Sequence, residues 1–159
     1  MSNDDLVTAE SIENWSMVFP NQANPNGNMF GGDLLAIMDT TAAMAAKRYS
    51  QRQVSTVSVE AVHFAKPFMV GDNIKVTAKV VLVGTSSMMV KTLAFKDIGQ
   101  NQLEQCVSAY FNLVAFDEDR VPTAVPKLRL LKENNADYQR ALVIKESAQT
   151  RHKQLQAVK

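Results

Sequence analysis

The chain of 159 residues has little cysteine: Cys106 stands alone, so no internal disulfide can form. Cys106 lies in a strand-like apolar run, where a small apolar filler is the expected role. No histidine stands at a suggestive position near it, which argues against a nucleophile. At this length the chain is most simply one domain that buries about two thirds of its unfolded surface.

Neither sign of charge is in excess, since 17 Lys and Arg oppose 16 Asp and Glu. Basic clusters interleaved with aromatics are also missing, so nucleic acid is not an expected partner. No 18 apolar residues run together, and residues 1–10 carry acids where a secretory signal needs a basic start and an apolar core. We therefore expect a soluble cytoplasmic protein without a membrane partner.

The segment from Asn24 to Tyr49 joins a loop rich in Gly and Asn to a run of good helix formers. At about 100° per residue, Asp39 falls inside the apolar stripe of this helix, whose other members are Leu35, Met38, Ala42 and Ala46. An ionised carboxylate on such a face must be satisfied or used. A purely structural carboxylate, bound to backbone or to hydroxyls such as Ser58 or the Thr40/Thr41 pair, is the alternative.

Two glycines, Gly31 and Gly32, stand directly before the helix formers. They indicate a backbone that bends tightly and leaves the first helical N–H groups open. Such a helix end attracts negative charge.

Beyond the helix, the apolar period changes from about 3.6 to 2, which predicts four strands between Val54 and Phe116. Ser11 to Phe19 can supply one more. In the first of the four strands, strict alternation predicts one face with Val57, Val59, Ala61 and His63, and the other with Ser58, Glu60, Val62 and Phe64.

A single helix from Gly32 to Tyr49, about 27 Å long, thus precedes four antiparallel strands. This order predicts an α+β fold in which a curved antiparallel sheet wraps one long helix. Open edge strands favour pairing with a second copy of the chain.

The loop and helix carry a pattern that resembles a known family. It runs Asn24-x-Asn26-Gly27-Asn28-x-Phe30-Gly31-Gly32, then Leu34-Leu35 and Met38-Asp39. From roughly residue 10 to 125 the chain resembles the hot-dog-fold acyl-CoA thioesterases, in the branch of bacterial short acyl-CoA hydrolases and cytosolic acyl-CoA hydrolases. The resemblance implies a long helix inside a curved sheet, a homodimer paired through the sheets, and assembly as a trimer of dimers.

The resemblance also implies a catalytic site. Asp39 matches the family's helix carboxylate, a general base or direct nucleophile, and Asn24 matches the loop amide that helps position the attacking water. The backbone N–H of Gly32, or of Gly31, is the natural oxyanion donor at the helix start. In this family the loop Asn and helix Asp of one site come from opposite subunits. No metal is implied, and no cofactor beyond the CoA of substrate and product.

Candidate CoA-binding residues are spread along the chain. Gly84, Thr85, Ser86 and Ser87 match the loop that holds the pantetheine and nucleotide end in the family, although a plain hairpin turn explains them equally well. Lys66 and Arg120 stand beside turns where they can meet phosphates or remain solvated surface charges. Gly31 and Ser58 complete the predicted binding set. His63 is expected to pack in the core or at an interface.

The composition shifts after Phe116, which predicts a hot-dog domain over residues 8–123. Residues 124–159 are then a polar C-terminal tail, either an appended helix or partly disordered, with helical spacing at Tyr138, Leu142 and Ile144.

Two other functions compete with thioester hydrolysis. A hot-dog dehydratase needs a His opposite the helix carboxylate, and no His occurs before His63. A non-catalytic acyl-CoA-binding or regulatory module has no need of both Asn24 and Asp39. The sequence therefore favours the hydrolase.

Overall fold

The computed structural model describes residues 6–158. Its elements, in chain order, are β1 (Leu6–Val7), β2 (Ile12–Met17), α1 (Gly31–Ser50), β3 (Gln53–Phe64), β4 (Asn73–Val83), β5 (Ser87–Gly99), β6 (Gln102–Phe116), β7 (Lys127–Leu128) and α2 (Asn135–Ala157).

Helix α1 extends one residue beyond each end of the predicted helix. It ends at Ser50 and is capped by Gln51, which adopts the left-handed conformation (φ 56°) and donates its backbone N–H to the Lys47 carbonyl at 2.9 Å. One face is buried along the full length of the helix, and small alanines on that face let the strands approach closely. The buried apolar residues of this face are Leu34, Met38, Ala42, Ala45, Ala46 and Tyr49.

Five strands form one antiparallel sheet in the order β2-β4-β5-β6-β3, which confirms the predicted α+β architecture. All five contact α1, so the sheet wraps the helix and the core fills the space between them. Cys106 is completely buried in this core, and its burial raises the pKa of the thiol. β1 and β7 form a separate parallel pair.

Strict alternation in β3 proved wrong, because two irregularities interrupt its pairing with β6. Thr56 pairs with the buried Leu113, whereas Ser58 pairs with the neighbouring Asn112. The extra residue between them, Val57, is a β-bulge that turns Thr56 toward α1 and Ser58 toward the outer face. The second irregularity, between Glu60 and His63, includes Ala61 at φ 51°.

Helix α2 packs on the outer face of the sheet, opposite α1. Its Ala141 is completely buried in a second cluster with Val81, Leu82, Met89 and Tyr110. Burial raises the pKa of Tyr110, and the nearby Asp137 carboxylate raises it further. The boundary between a domain at 8–123 and a tail at 124–159 stays a prediction. None of the helices in the described chain is long and apolar enough to cross a membrane.

Strand β3 lies at one end of the sheet and, within residues 6–158, pairs with β6 alone. Its Val57 and Val59 side chains are 61% and 40% exposed. An open edge of this kind, with apolar side chains, is a template for pairing with another strand.

Two methionines of α1 test the contribution of its buried face. Met38 is fully buried whereas Met44 is 45% exposed. We expect Met38→Ala to lower the free energy of unfolding by about 2–5 kcal/mol, because it leaves a cavity between helix and sheet. Met44→Ala is the matched control and should cost less than about 1 kcal/mol. Urea denaturation measures both, and equal losses would contradict the assignment of the buried face.

Tyr49 makes the free energy of unfolding depend on pH in the alkaline range. Its hydroxyl donates to the Pro126 carbonyl at 2.8 Å, and burial raises its pKa to about 12. Between the ordinary tyrosine pKa of about 10 and this value, the unfolded chain loses a proton that the folded chain retains. This group's contribution is thus complete below pH 10 and falls from pH 10 to 12. Urea titrations at pH 9 and 11 should show a smaller loss in Tyr49→Phe than in the wild type; equal losses would refute the role of Tyr49.

Candidate functional site

The loop before α1 is organised around Asn24. Its side-chain oxygen accepts the backbone N–H of Asn26 at 2.9 Å and of Asn28 at 3.2 Å, and its backbone N–H donates to the Asn28 carbonyl at 2.7 Å. Gly27 closes this tight turn at φ 82°, a conformation that favours glycine. The Asn24 oxygen is thereby engaged in the turn, and the side-chain NH₂ is the part of the amide left to contact a ligand.

The N-terminus of α1 presents open donors. The first backbone groups to bond within the helix are the N–H groups of Asp33 and Leu34, both to the Phe30 carbonyl. Gly31 and Gly32 therefore direct their N–H groups out of the helix end, where the helix dipole favours negative charge. A Cβ on Gly32 would lie 2.5 Å from the Phe30 ring, so glycine lets this ring cover the turn.

A cleft of about 400 Å³ lies in front of this helix end and brings together three predicted site residues, Asn24, Gly31 and Lys66. The Lys66 ammonium is 3.3 Å from the Glu104 carboxylate, and its side chain is half exposed. The other walls are mainly apolar: Met29, Leu34, Phe64, Phe68 and Val107. The cleft thus combines apolar walls with an amide, a cation and a helix N-terminus.

Asp39 is held by Thr56, whose hydroxyl donates to the carboxylate at 2.6 Å. The hydroxyls weighed from the sequence are used elsewhere. Ser58 accepts from Asn112 at 2.8 Å on the outer face, while Thr40 and Thr41 donate to backbone carbonyls of α1. Ser58 as the Asp39 partner is therefore a wrong expectation. The bulge at Val57 is the reason, and alternation alone gives no signal for it.

Asn24 and Asp39 do not meet within one chain. Asp39 follows Gly31 by eight residues, which is about 12 Å along a helix. Among the described residues, the cleft that contains Asn24 does not include Asp39. One chain therefore presents two separate halves of the predicted catalytic set.

The remaining predicted CoA-binding residues do not line the cleft that contains Asn24. Gly84 to Ser87 form the β4–β5 hairpin turn, in which the Gly84 N–H donates to the Ser87 carbonyl at 2.9 Å. Gly84 and Ser87 line an outer cleft beside α2 together with Ser58, and Thr85 lines a third cleft near Val125. Arg120 is exposed in the turn after β6. A CoA-binding role for these residues stays a prediction.

Comparison with known proteins places this arrangement in a family. Residues 26–102 match the Thioesterase superfamily. An uncharacterized acyl-CoA thioester hydrolase of Zymomonas mobilis is 34% identical over 122 residues, covering 74% of this chain and 81% of its own length. The acyl-CoA thioester hydrolase YciA of Escherichia coli K12 is 36% identical over 117 residues, covering 70% and 87%.

Solved structures agree in fold. An acyl-CoA hydrolase from Staphylococcus aureus, in complex with butyryl-CoA and CoA, matches with a TM-score of 0.86 and 30% identity over 92% of this chain and 90% of its own. A hexameric thioesterase from Yersinia pestis matches with a TM-score of 0.68 and 31% identity, covering 77% and 99%.

The Staphylococcus enzyme has also been studied with alanine in place of an asparagine, an aspartate and a threonine. Along its chain these positions are 15 and 17 residues apart, the same spacing that separates Asn24, Asp39 and Thr56 here. By identity, coverage and fold together, the chain belongs to the acyl-CoA thioester hydrolases of the thioesterase superfamily.

Proposed function

We propose that this acyl-CoA thioester hydrolase works with Asp39 as base or nucleophile, Asn24 as the positioning amide, and the Gly31 and Gly32 N–H groups as oxyanion donors. The observation that carries the proposal is the hydrogen bond from Thr56 to Asp39 on the side of β3 that faces α1. This bond fixes the direction of the carboxylate and occupies one of its oxygens. The second oxygen is left to act on a water or on the thioester.

In the general-base course, Asp39 accepts a proton from water as the water oxygen attacks the thioester carbonyl carbon. Negative charge develops on the carbonyl oxygen, where the N–H groups of Gly31 and Gly32 stabilise it. The carbon–sulfur bond then breaks and CoA leaves as a thiolate, which needs little protonation. In the nucleophilic course, the Asp39 carboxylate attacks the carbonyl carbon, the carbon–sulfur bond breaks to release CoA thiolate, and water then hydrolyses the resulting anhydride and restores the carboxylate. Both courses release a free acid and CoA.

A two-fold dimer through β3 brings the two halves together. Thr56 and Phe64 lie on the inner face of β3, eight residues apart, because they pair with the buried residues Leu113 and Val107. Antiparallel pairing of two β3 strands about an axis near Glu60 sets Thr56 of one chain opposite Phe64 of the other. Thr56 holds Asp39, and Phe64 lines the cleft of Asn24. Each active site then takes Asp39 from one chain and Asn24 from its partner.

The same pairing supports a homo-oligomer. Solved thioesterases from Yersinia pestis and two further matches are hexameric. We extend this assembly to the present chain as a trimer of dimers in the cytoplasm, with acyl-CoA as substrate and no metal or additional cofactor. We also propose that Lys66, at the rim of the cleft, meets a phosphate of CoA once its contact with Glu104 opens.

A non-catalytic acyl-CoA-binding module remains the competing function. A binding module needs no positioned carboxylate. The bulge at Val57 interrupts regular strand pairing, and this loss has no compensating benefit if Asp39 does no chemistry. Release of free thiol from acyl-CoAs of several chain lengths separates the two: binding without release favours the module.

Substitutions at Asp39 and Thr56 test the chemistry. Asp39→Asn should lower kcat for thiol release by about 10²- to 10⁴-fold, because the base or nucleophile is lost. Thr56→Val should lower it by about ten- to a hundredfold, since a hydrogen bond to a charged group is lost. Ser55→Ala, at an exposed position of the same strand, is the control and should stay within about twofold. Near-full activity of Asp39→Asn would refute the mechanism.

Mixed dimers test the shared site. Asn24→Ala and Asp39→Ala chains are each expected to be nearly inactive as homodimers. Each mixed dimer contains one intact site of two, so purified mixed dimers should regain about half of wild-type activity, and an unsorted random mixture, in which half of the dimers are mixed, about one quarter. Co-expression with two affinity tags, followed by thiol-release assays of the doubly tagged dimer, makes the measurement. An inactive mixed dimer would place both residues in a site within one chain.

A further inference from the structure

Helix α2 crosses the outer face of the sheet strand by strand. Asn134, just before the helix, accepts a hydrogen bond from Lys79 of β4 at 2.9 Å. Asp137 pairs with Lys91 of β5 at 2.7 Å, and Ala141 packs beside Tyr110 of β6. Arg151 reaches Glu60 of the edge strand β3. The helix thus traverses the sheet from β4 to its last strand.

The helix does not stop at that strand. From Asn134 to Arg151 it rises about 25 Å, while crossing three strand spacings of about 4.8 Å each. Its last six residues, up to Ala157, add about 9 Å more. At the same pitch, this advance carries the helix end about one strand spacing beyond β3. We call residues 152–158 the overhang.

The overhang continues the sheet-facing stripe of α2. Steps of four and three residues lead from Ala141 through Lys145, Ala148 and His152 to Leu155, so these side chains share one face. Ala141 at the start of this face is fully buried, whereas Leu155 is 65% exposed. Leu155 therefore points to the side of the helix on which the sheet lies, at a place where residues 6–158 of its own chain supply no strand.

Apolar side chains are also open to solvent on the outer surface beside β3, among polar ones such as Glu60 and Lys145. A cleft of about 380 Å³ opens between α2 and the edge strand, and its apolar walls are Val57, Leu82, Met89 and Ala148. Val57 at the bulge is 61% exposed. One chain alone thus leaves apolar surface uncovered both on the overhang and beside the strand that it passes.

We infer that the overhang of each α2 packs on the outer face of the partner's β3, where Leu155 becomes buried and the two α2 helices flank the two-fold axis. This inference rests on the proposed pairing of two β3 strands, which supplies the strand missing beneath Leu155. A second copy of this chain is the occupant, because strand pairing and helix docking then continue one interface. Two layers of contacts then stabilise the dimer: the paired β3 strands within the sheet, and the ends of the α2 helices packed on its outer face.

Leu155→Lys and its control Val143→Lys test the inference. Val143 is on the opposite face of α2 and is 62% exposed, so it matches Leu155 in exposure but not in direction. A dilution series followed by sedimentation velocity gives the dissociation constant for release of monomers. Leu155→Lys, and deletion of residues 153–159, should each raise it at least about tenfold, since two buried leucines are lost per dimer. Val143→Lys should change it less than about twofold.

Hydrogen exchange of the wild-type chain gives a second readout that needs no variant. Diluting the protein below its dissociation constant should speed amide exchange in residues 152–157 and leave residues 138–146 unchanged. Two outcomes would overturn the inference alone, provided that the wild type assembles. One is an unchanged dissociation constant in Leu155→Lys, and the other is amide exchange in the overhang of the wild type that is equally fast in the assembled and the diluted protein. A wild type that is monomeric at every concentration would overturn the β3 pairing together with it.

Discussion

The one-sided pairing of β3 is the constraint on which the rest of the structure depends. Within the described residues, β3 bonds to β6 along one edge and to no strand along the other, and its Val57 and Val59 side chains are exposed. An unpaired edge is costly to leave open and invites association. The Thr56 hydroxyl that holds Asp39 lies on this same strand, so the element that orients the carboxylate is also the one available to a second copy. In the proposed function, catalysis and assembly therefore depend on the same strand.

The bulge at Val57 lets one strand meet both requirements. A regular strand would turn Thr56 and Ser58 to the same face, whereas the extra residue sends Thr56 toward α1 and leaves Ser58 with Asn112 outside. The carboxylate thus gains one short hydrogen bond in a half-buried setting, and the outer face keeps a polar pair close to α2. The N-terminus of α1 contributes in a different way. Its open N–H groups at Gly31 and Gly32 can stabilise developing negative charge without any cationic side chain.

Periodicity was enough to predict most of the architecture. The 3.6-residue stripe around Asp39 located α1 to within one residue at each end, and alternation located β2 to β6, because both patterns report burial directly. The partner of Asp39 could not be found in this way. Thr56 and Ser58 are equivalent in a regular strand, and only pairing with Leu113 and Asn112, distant in sequence, distinguishes them. The path of α2 across the sheet could not be predicted for a similar reason. The position of Leu155 matters only relative to β3, the edge strand that the helix passes, and that strand is distant in sequence.

The continuity of α1 has a geometric consequence. Gly31 and Asp39 belong to one unbroken helix, yet in the proposed dimer they serve different sites. Because one continuous helix carries both groups, the stretch of about 12 Å between them along α1 sets how far apart the two sites of that dimer lie.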